Sequence, residues 1–111
     1  MRNCNYIAIS ESKYGKIIYC RNCSEKVAFQ FNNITQGFPK ESFFEFSEHM
    51  AELNADDFFK RCPHEERIHI KTAVSDLYFS FTLDEFNSLK KMLEESVLIL
   101  KSIDYTQTFK N

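Results

Sequence analysis

The spacing of apolar residues changes twice along this 111-residue chain, each time from a strand-like to a helix-like period. Residues 27–31 alternate apolar and polar side chains in steps of two, which is typical of a half-buried strand. Apolar residues then recur at helical spacing over 39–53. The same change follows the strand-like segment 77–81, after which helical spacing continues over 83–100. The chain is therefore predicted to combine strands with helices that follow them.

Two hairpins are predicted before the first helix. The first joins 6–10 to 16–20 through a turn in which Gly15 is available for a positive φ. The second joins 27–31 to 34–38, and Asn32-Asn33 can supply the two positive-φ residues of its tight turn. The first hairpin would return Cys4 to the neighbourhood of Cys20.

The helix boundaries carry recognisable signals. Pro39 is acceptable in a first helical turn, and a short helix capped by Asn54 would break at Cys62-Pro63. Thr82 and Glu85 have the spacing of a capping box, which predicts that the last helix begins there.

A shift of 43 residues lays the first helical segment over the last, so that Phe43 meets Phe86 and Met50 meets Leu93. We predict an α+β fold with a mostly antiparallel sheet and two helices packed on one face, in which two strand-strand-helix units follow a cysteine-bearing hairpin. Residues 1–103 are expected to form a single domain, with 104–111 a loosely ordered tail.

Four cysteines are the main candidates for chemistry. Cys20 and Cys23 form a C-x-x-C pair in a turn between strands, a spacing that can bind one tetrahedral zinc ion, and the first hairpin brings Cys4 beside them. Cys62 is the predicted fourth ligand, with His64 as its substitute. A structural Zn²⁺ site is the leading interpretation, and the alternatives are thiols without a joint role or a redox-active pair.

Other chemistry receives less support. A thioredoxin-type dithiol needs its first cysteine at a helix N-terminus, whereas Ser24 leads here into a strand. His49 and His69 share no motif, and isolated glycines form no phosphate-binding loop. We therefore expect no enzyme activity and name no catalytic residue.

Charge and hydropathy limit the partners. The net charge of −2 gives no overall field for nucleic acid or an anionic membrane. The first 30 residues carry five basic and two acidic groups, so a weak nucleic-acid binder using Arg2, Arg21 and Lys26 is a third hypothesis. No segment has the apolar length of a signal peptide or a membrane span, and we expect a cytoplasmic protein.

Several of these segments together resemble a family of small uncharacterised proteins from Bacteroidota. The resemblance lies in Cys4, the C-x-x-C of Cys20 and Cys23, the run 27–33 and the late segments 67–72 and 82–86. It implies a joint role for the first three cysteines and adds no activity. We expect a non-catalytic structural-zinc domain that serves interaction with an unknown protein partner, and a thiol-based redox sensor or enzyme is the alternative.

Overall fold

A computed structural model describes residues 6–21, 25–72 and 74–110, with side chains described as far as residue 104. Within this part of the chain, strands and helices alternate in two groups. The elements are β1 (Tyr6–Ser12), β2 (Gly15–Cys20), β3 (Lys26–Phe31), β4 (Ile34–Pro39), α1 (Lys40–Glu52), α2 (Ala55–Arg61), β5 (Ile68–Lys71), β6 (Tyr78–Phe81) and α3 (Leu83–Lys110).

The first four strands form an antiparallel sheet in chain order, and β5 pairs with β6 in a separate two-stranded sheet. In the larger sheet, Tyr19 lies opposite Val27, and both side chains are buried. Ile18 and Ala28, the next pair along the same strands, point to the other face and are half-buried. One face of the sheet therefore carries the core, while the other is open.

Aromatic rings fill the space over the core face. Phe29, at the centre of β3, lies 5.6 Å from Phe79 of β6 and 5.9 Å from Phe46 of α1, measured between ring centroids. Phe31 packs edge-on against Phe81 at 5.5 Å. Ring pairs at these distances stabilise the fold by about 0.5–1.5 kcal/mol each beyond the area that they bury. The β5–β6 hairpin and both long helices thus share one core with the larger sheet.

The predicted start of the last helix is confirmed. The Thr82 backbone N–H donates to Glu85 Oε1 at 2.8 Å, and the Glu85 N–H donates to Thr82 Oγ1 at 3.2 Å. These reciprocal bonds satisfy two backbone donors that have no helical partner. The Asn32 side chain also donates to Glu85 Oε2 at 2.9 Å, and Tyr14 donates to Asp84, so the first turn of α3 is tied to the tips of both hairpins.

The limits of the other helices follow the sequence signals. Pro39 is the last residue of β4 and the N-cap of α1. A residue at this position donates no hydrogen bond within the helix, so the N–H that proline lacks is not needed there. Asn54 accepts a hydrogen bond from the Asp57 N–H at 3.2 Å, and α2 ends at Arg61 before Cys62, as predicted.

Two turn predictions are wrong in detail. Among the described residues, positive φ occurs at Glu25, Asn32 and Asp76, so Asn32 fits the prediction and Asn33 does not. Gly15 has no positive φ either. It is required for a different reason, because a Cβ at this position would lie 1.8 Å from the carbonyl oxygen of Gln30 on β3.

The predicted α+β class is confirmed, with two differences in its assembly. The strands form two sheets instead of one, and the short helix predicted after Asn54 is present as α2 in addition to the two long helices. The two strand-strand-helix units are present at the predicted offset, since α1 begins at Lys40 and α3 at Leu83. The single domain and the loose tail at 104–111 stay predictions, although α3 extends through Lys110.

Candidate functional site

The cysteine-bearing end of the larger sheet begins with Cys20, the last residue of β2. The strand register places Cys20 between Tyr6 of β1 and Lys26 of β3, on the open face. Tyr6 and Lys26 are exposed, yet Cys20 is only 6% exposed. Its thiol is therefore removed from solvent on a sheet face that otherwise carries half-buried and exposed side chains in the described strands.

The chain turns back directly after Cys20. Arg21 is exposed, and the Glu25 N–H donates to the Arg21 carbonyl at 3.3 Å, which closes the turn. Glu25 adopts a left-handed backbone with φ of 56°, a conformation that a non-glycine residue takes only with support from its surroundings. Cys23 falls between these two residues, and Cys4 falls two residues before β1; both lie outside the described residues.

A polar network supplies that support for Glu25. Tyr19 donates to Glu25 Oε1 at 3.2 Å, and Lys40 Nζ donates to the same oxygen at 3.0 Å and to Asp104 Oδ1 at 2.7 Å. Lys40, the first residue of α1, thereby joins the turn after Cys20 to the late part of α3.

The network shifts three pKa values. The hydrogen bond from Lys40 lowers the pKa of Glu25. Burial acts to lower the pKa of Lys40, but hydrogen bonds to Asp104 and Glu25 outweigh it and leave that pKa raised. Burial raises the pKa of the Tyr19 hydroxyl. At neutral pH, Glu25 therefore stays negatively charged, Lys40 positively charged and Tyr19 neutral. Groups that keep one protonation state suit a structural contact better than proton transfer.

The predicted fourth ligands follow α2 in the chain. Cys62 is half-buried and His64 is exposed, and both follow α2, on the side of the molecule where α1 ends. Cys20 lies where α1 begins, because Lys26, its neighbour on β3, pairs with Pro39 at the N-cap. The 13 residues of α1 span about 20 Å. Cys62 and His64 thus follow α2, whereas Cys20 lies where α1 begins, and their role as fourth ligand stays a prediction.

His49 and His69 have separate surroundings. His69 Nε2 lies 3.1 Å from Glu65 Oε2, and its ring stands edge-on to Phe58. His49 is exposed on α1. Within the described ranges, no group of three or more His, Cys, Asp or Glu side chains is placed to hold a metal ion.

A groove between α1 and α3 was not predicted. The two helices are antiparallel, since Lys40 meets Asp104 while Lys90 Nζ donates to the Leu53 carbonyl at 2.7 Å. The groove has a volume of about 450 Å³, and the half-buried Val97 is one of the residues that line it. Leu98 at its rim is 63% exposed. The sequence signal was available, because Leu98 falls outside the apolar face that sets the core side of α3.

These features define a small α+β protein in which a cysteine lies at one end of the larger sheet and an open groove lies between two helices. The chain belongs to a family described as Family of unknown function (DUF6686), which it matches over residues 1–111. The expected family of uncharacterised proteins is thus confirmed, while the Bacteroidota origin and a shared cysteine pattern stay predictions. No curated protein and no solved structure matches the chain. Among the described helices, none is both long and apolar enough to cross a bilayer.

Proposed function

We propose that this chain is a non-catalytic domain for protein–protein interaction, with its cysteine-bearing end held together by structural zinc. Cys4, Cys20 and Cys23 would supply thiolate ligands. The observation that carries the proposal is the burial of Cys20, which is 6% exposed on an otherwise open sheet face. Small domains use such sites to fix turns that a limited core cannot hold alone.

The local residues suit a metal bound by thiolates. Exposed Arg21 and Lys26 flank Cys20 and would offset the negative charge of several thiolates. The carboxylate of Glu25 is engaged by Lys40 and Tyr19, so the proposal does not use it as a ligand. Zinc bound here would supply a tetrahedral link between β1 and the turn after β2, and its binding free energy would add to the free energy of unfolding.

We leave Cys62 out of this ligand set, because it follows α2 whereas Cys20 lies where α1 begins. Structural zinc takes four protein ligands, so three cysteines require one more donor from the protein. The proposal therefore predicts a sharp difference between the cysteines: three are protected by metal and Cys62 is not.

Serine substitutions test this directly. Cys23→Ser should abolish zinc binding and lower the melting temperature markedly, since the link between β1 and the turn is lost. The matched control is Cys62→Ser, which should keep both the zinc content and the melting temperature. A Cys23→Ser protein with unchanged zinc content and stability would refute the zinc site.

The interaction half of the proposal concerns the groove between α1 and α3. Its walls are fixed by Lys40 at one end and Lys90 at the other, and exposed Leu98 gives it an apolar rim. A preformed apolar groove between two helices suits the apolar face of another helix.

A thiol redox centre is the alternative, and it has a separate signature. It requires metal-free protein in which one cysteine is alkylated rapidly well below pH ~8.5, the ordinary thiol pKa. Nucleic-acid binding through Arg2, Arg21 and Lys26 would instead give an affinity that falls steeply as salt rises. Either result, obtained with protein lacking zinc, would replace the structural-zinc proposal.

A further inference from the structure

The β5–β6 hairpin leaves one edge of β5 without a neighbouring strand. Just beyond the paired residues, the Thr72 N–H donates to the Leu77 carbonyl at 3.1 Å. Hydrogen-bonded and non-hydrogen-bonded pairs alternate along an antiparallel ladder, so every second residue of β5, counted back from Thr72, bonds to β6. The backbone N–H and C=O groups of the residues between them, His69 and Lys71, therefore point away from β6.

These outward groups have no backbone partner within the part of the chain that the structure describes. None of the hydrogen bonds outside the strands involves the backbone of His69 or Lys71. On β6, by contrast, the Ser80 carbonyl accepts a hydrogen bond from Arg67 Nη1 at 3.2 Å. Two N–H and two C=O groups thus stay open along β5, and the two-residue repeat of a strand spaces them by about 6.7 Å.

A cavity of about 350 Å³, which we call the β5 cavity, runs along this edge. All four residues of β5 line it. Since their side chains alternate between the two faces of the strand, a cavity that touches all four lies beside the edge. Its other wall is formed by the end of α1 and by α2. The volume is at the lower end of the range for ligand-binding pockets.

The two sides of the β5 cavity differ in character. On the core side, Phe86 belongs to the common core and Leu53 packs against it. On the opposite side, the Phe58 ring stands edge-on to the His69 imidazole. An extended segment paired with β5 would alternate its side chains between these two sides, and those on the core side would meet an apolar surface.

The charges around the β5 cavity balance. Two carboxylates, two cations and two exposed histidines line it, namely Glu52, Asp57, Arg61, Lys71, His49 and His69. His69 Nε2 also lies 3.1 Å from Glu65 Oε2. Recognition would therefore depend on backbone hydrogen bonds and not on the net charge of the occupant. Because helices line the other wall, a single extended segment fits there better than the edge of a second folded sheet.

We propose that the edge of β5 binds an extended peptide segment of a partner protein. The segment pairs with His69 and Lys71 as an added strand and places an apolar side chain against Leu53 and Phe86. An extended backbone supplies donors and acceptors at the spacing of the outward groups. The site uses neither the cysteines nor the α1–α3 groove, so it adds a second surface to the proposed interaction function and its failure would leave the other proposals standing.

Hydrogen exchange of the free full-length chain, followed residue by residue by NMR, tests the open edge. The Ile70 amide should exchange at least about tenfold more slowly than the amides of His69 and Lys71, because only Ile70 bonds to β6. Equal protection of all three amides would overturn the proposal, since the edge would already be paired.

Short random peptides displayed on phage provide the binding test. Peptides selected on the full-length chain should carry apolar residues at alternating positions. A synthetic copy should lose at least about fivefold in affinity when the amides that pair with β5 are N-methylated, because each loses a hydrogen bond. N-methylation of the alternate amides, which face away from β5, is the matched control and should leave the affinity unchanged.

Variants of the protein place the peptide at the edge. Lys71→Pro removes an N–H that does not bond to β6, a position that tolerates proline, and it should weaken peptide binding at least about fivefold. Lys71→Ala keeps the N–H and should bind like wild type. If circular dichroism shows that Lys71→Pro is unfolded, the N-methylated peptides decide the question.

Three results would overturn the β5 site. The first is a library that yields no binding peptide, and the second is a selected peptide that binds folded Lys71→Pro as tightly as wild type. The third is binding that is lost in Leu98→Glu and kept in Lys71→Pro, which would assign the peptide to the α1–α3 groove, where Leu98 is exposed.

Discussion

The two glycines of the chain lie in the same sheet and should respond oppositely to alanine. Gly15 begins β2 opposite Phe31, and a Cβ there would lie 1.8 Å from the Gln30 carbonyl oxygen and 2.9 Å from the Phe31 Cα. At Gly37, on the open face of β4, an added Cβ meets nothing within 4 Å. Neither position has a positive φ, so backbone conformation does not distinguish them.

The size of the Gly15→Ala effect follows from this overlap. Non-bonded atoms in contact are separated by about 3.5 Å, so β2 and β3 must move apart by more than ~1 Å at this pair. The atoms in the way belong to the backbone of β3, which no side-chain rotation can move aside. Overpacking of this kind destabilises by up to about 3 kcal/mol. For a chain of this length, that lowers the melting temperature by roughly 12 °C.

Thermal and urea unfolding followed by circular dichroism would measure both variants. Gly37→Ala should keep the wild-type stability or gain up to about 1 kcal/mol, because alanine restricts the unfolded chain. If Gly15→Ala proves as stable as Gly37→Ala, the β2–β3 register and the close approach at Gly15 are incorrect.

Three further predictions concern the core and the start of α3. Phe29→Ala should lower the free energy of unfolding by about 3–5 kcal/mol in urea titrations, because the ring is fully buried among aromatic neighbours. Thr82→Ala should cost about 1 kcal/mol in the same assay by removing the cap, while Ser102→Ala at an exposed site of the same helix should change stability by less than about 0.5 kcal/mol. The Thr82 N–H and then Asn32 lower the pKa of Glu85, so its charged form stabilises the fold above the unfolded pKa of about 4.3. That contribution should be lost as pH falls through the lower pKa of Glu85 in the folded protein. The difference in the free energy of unfolding between wild type and Glu85→Gln should shrink over the same pH range. A difference that does not change with pH would show that the charge of Glu85 has no role.

Local signals in the sequence predicted the elements well. Thr82 and Glu85 stand three residues apart, so the capping box depends only on the first turn of α3 and could be identified without knowing the fold. The same holds for Asn54, whose cap closes on Asp57. Alternating residues likewise located the hairpins, because register within a hairpin is set by its short turn.

Long-range arrangement was less predictable. No local pattern specifies whether β5 and β6 extend the larger sheet or lie over its core face, where Phe79 and Phe81 meet Phe29 and Phe31. Gly15 was expected to supply a positive φ in a turn. Its actual requirement is the closeness of β3, which depends on strand pairing and is not revealed by composition.

The prediction of the candidate site depended on both local and long-range arrangement. The hairpin register brings Tyr6 opposite Cys20, which supports placing Cys4 near the C-x-x-C pair. Cys62 was assigned to the cluster on the assumption that its following strand adjoins the first hairpin. In the structure β5 pairs with β6 and α2 contacts β5, and the role of Cys62 as a ligand stays a prediction.

The proposed structural zinc site uses three of the four cysteines. Elemental analysis of untagged protein purified without added metal or chelator tests it most directly, combined with alkylation of native and denatured samples. The proposed site predicts one zinc per chain, with Cys62 alkylated in the native protein and the other three cysteines alkylated only after denaturation and chelation. Protein without metal, in which Cys4 and Cys23 react in the native state, would contradict it.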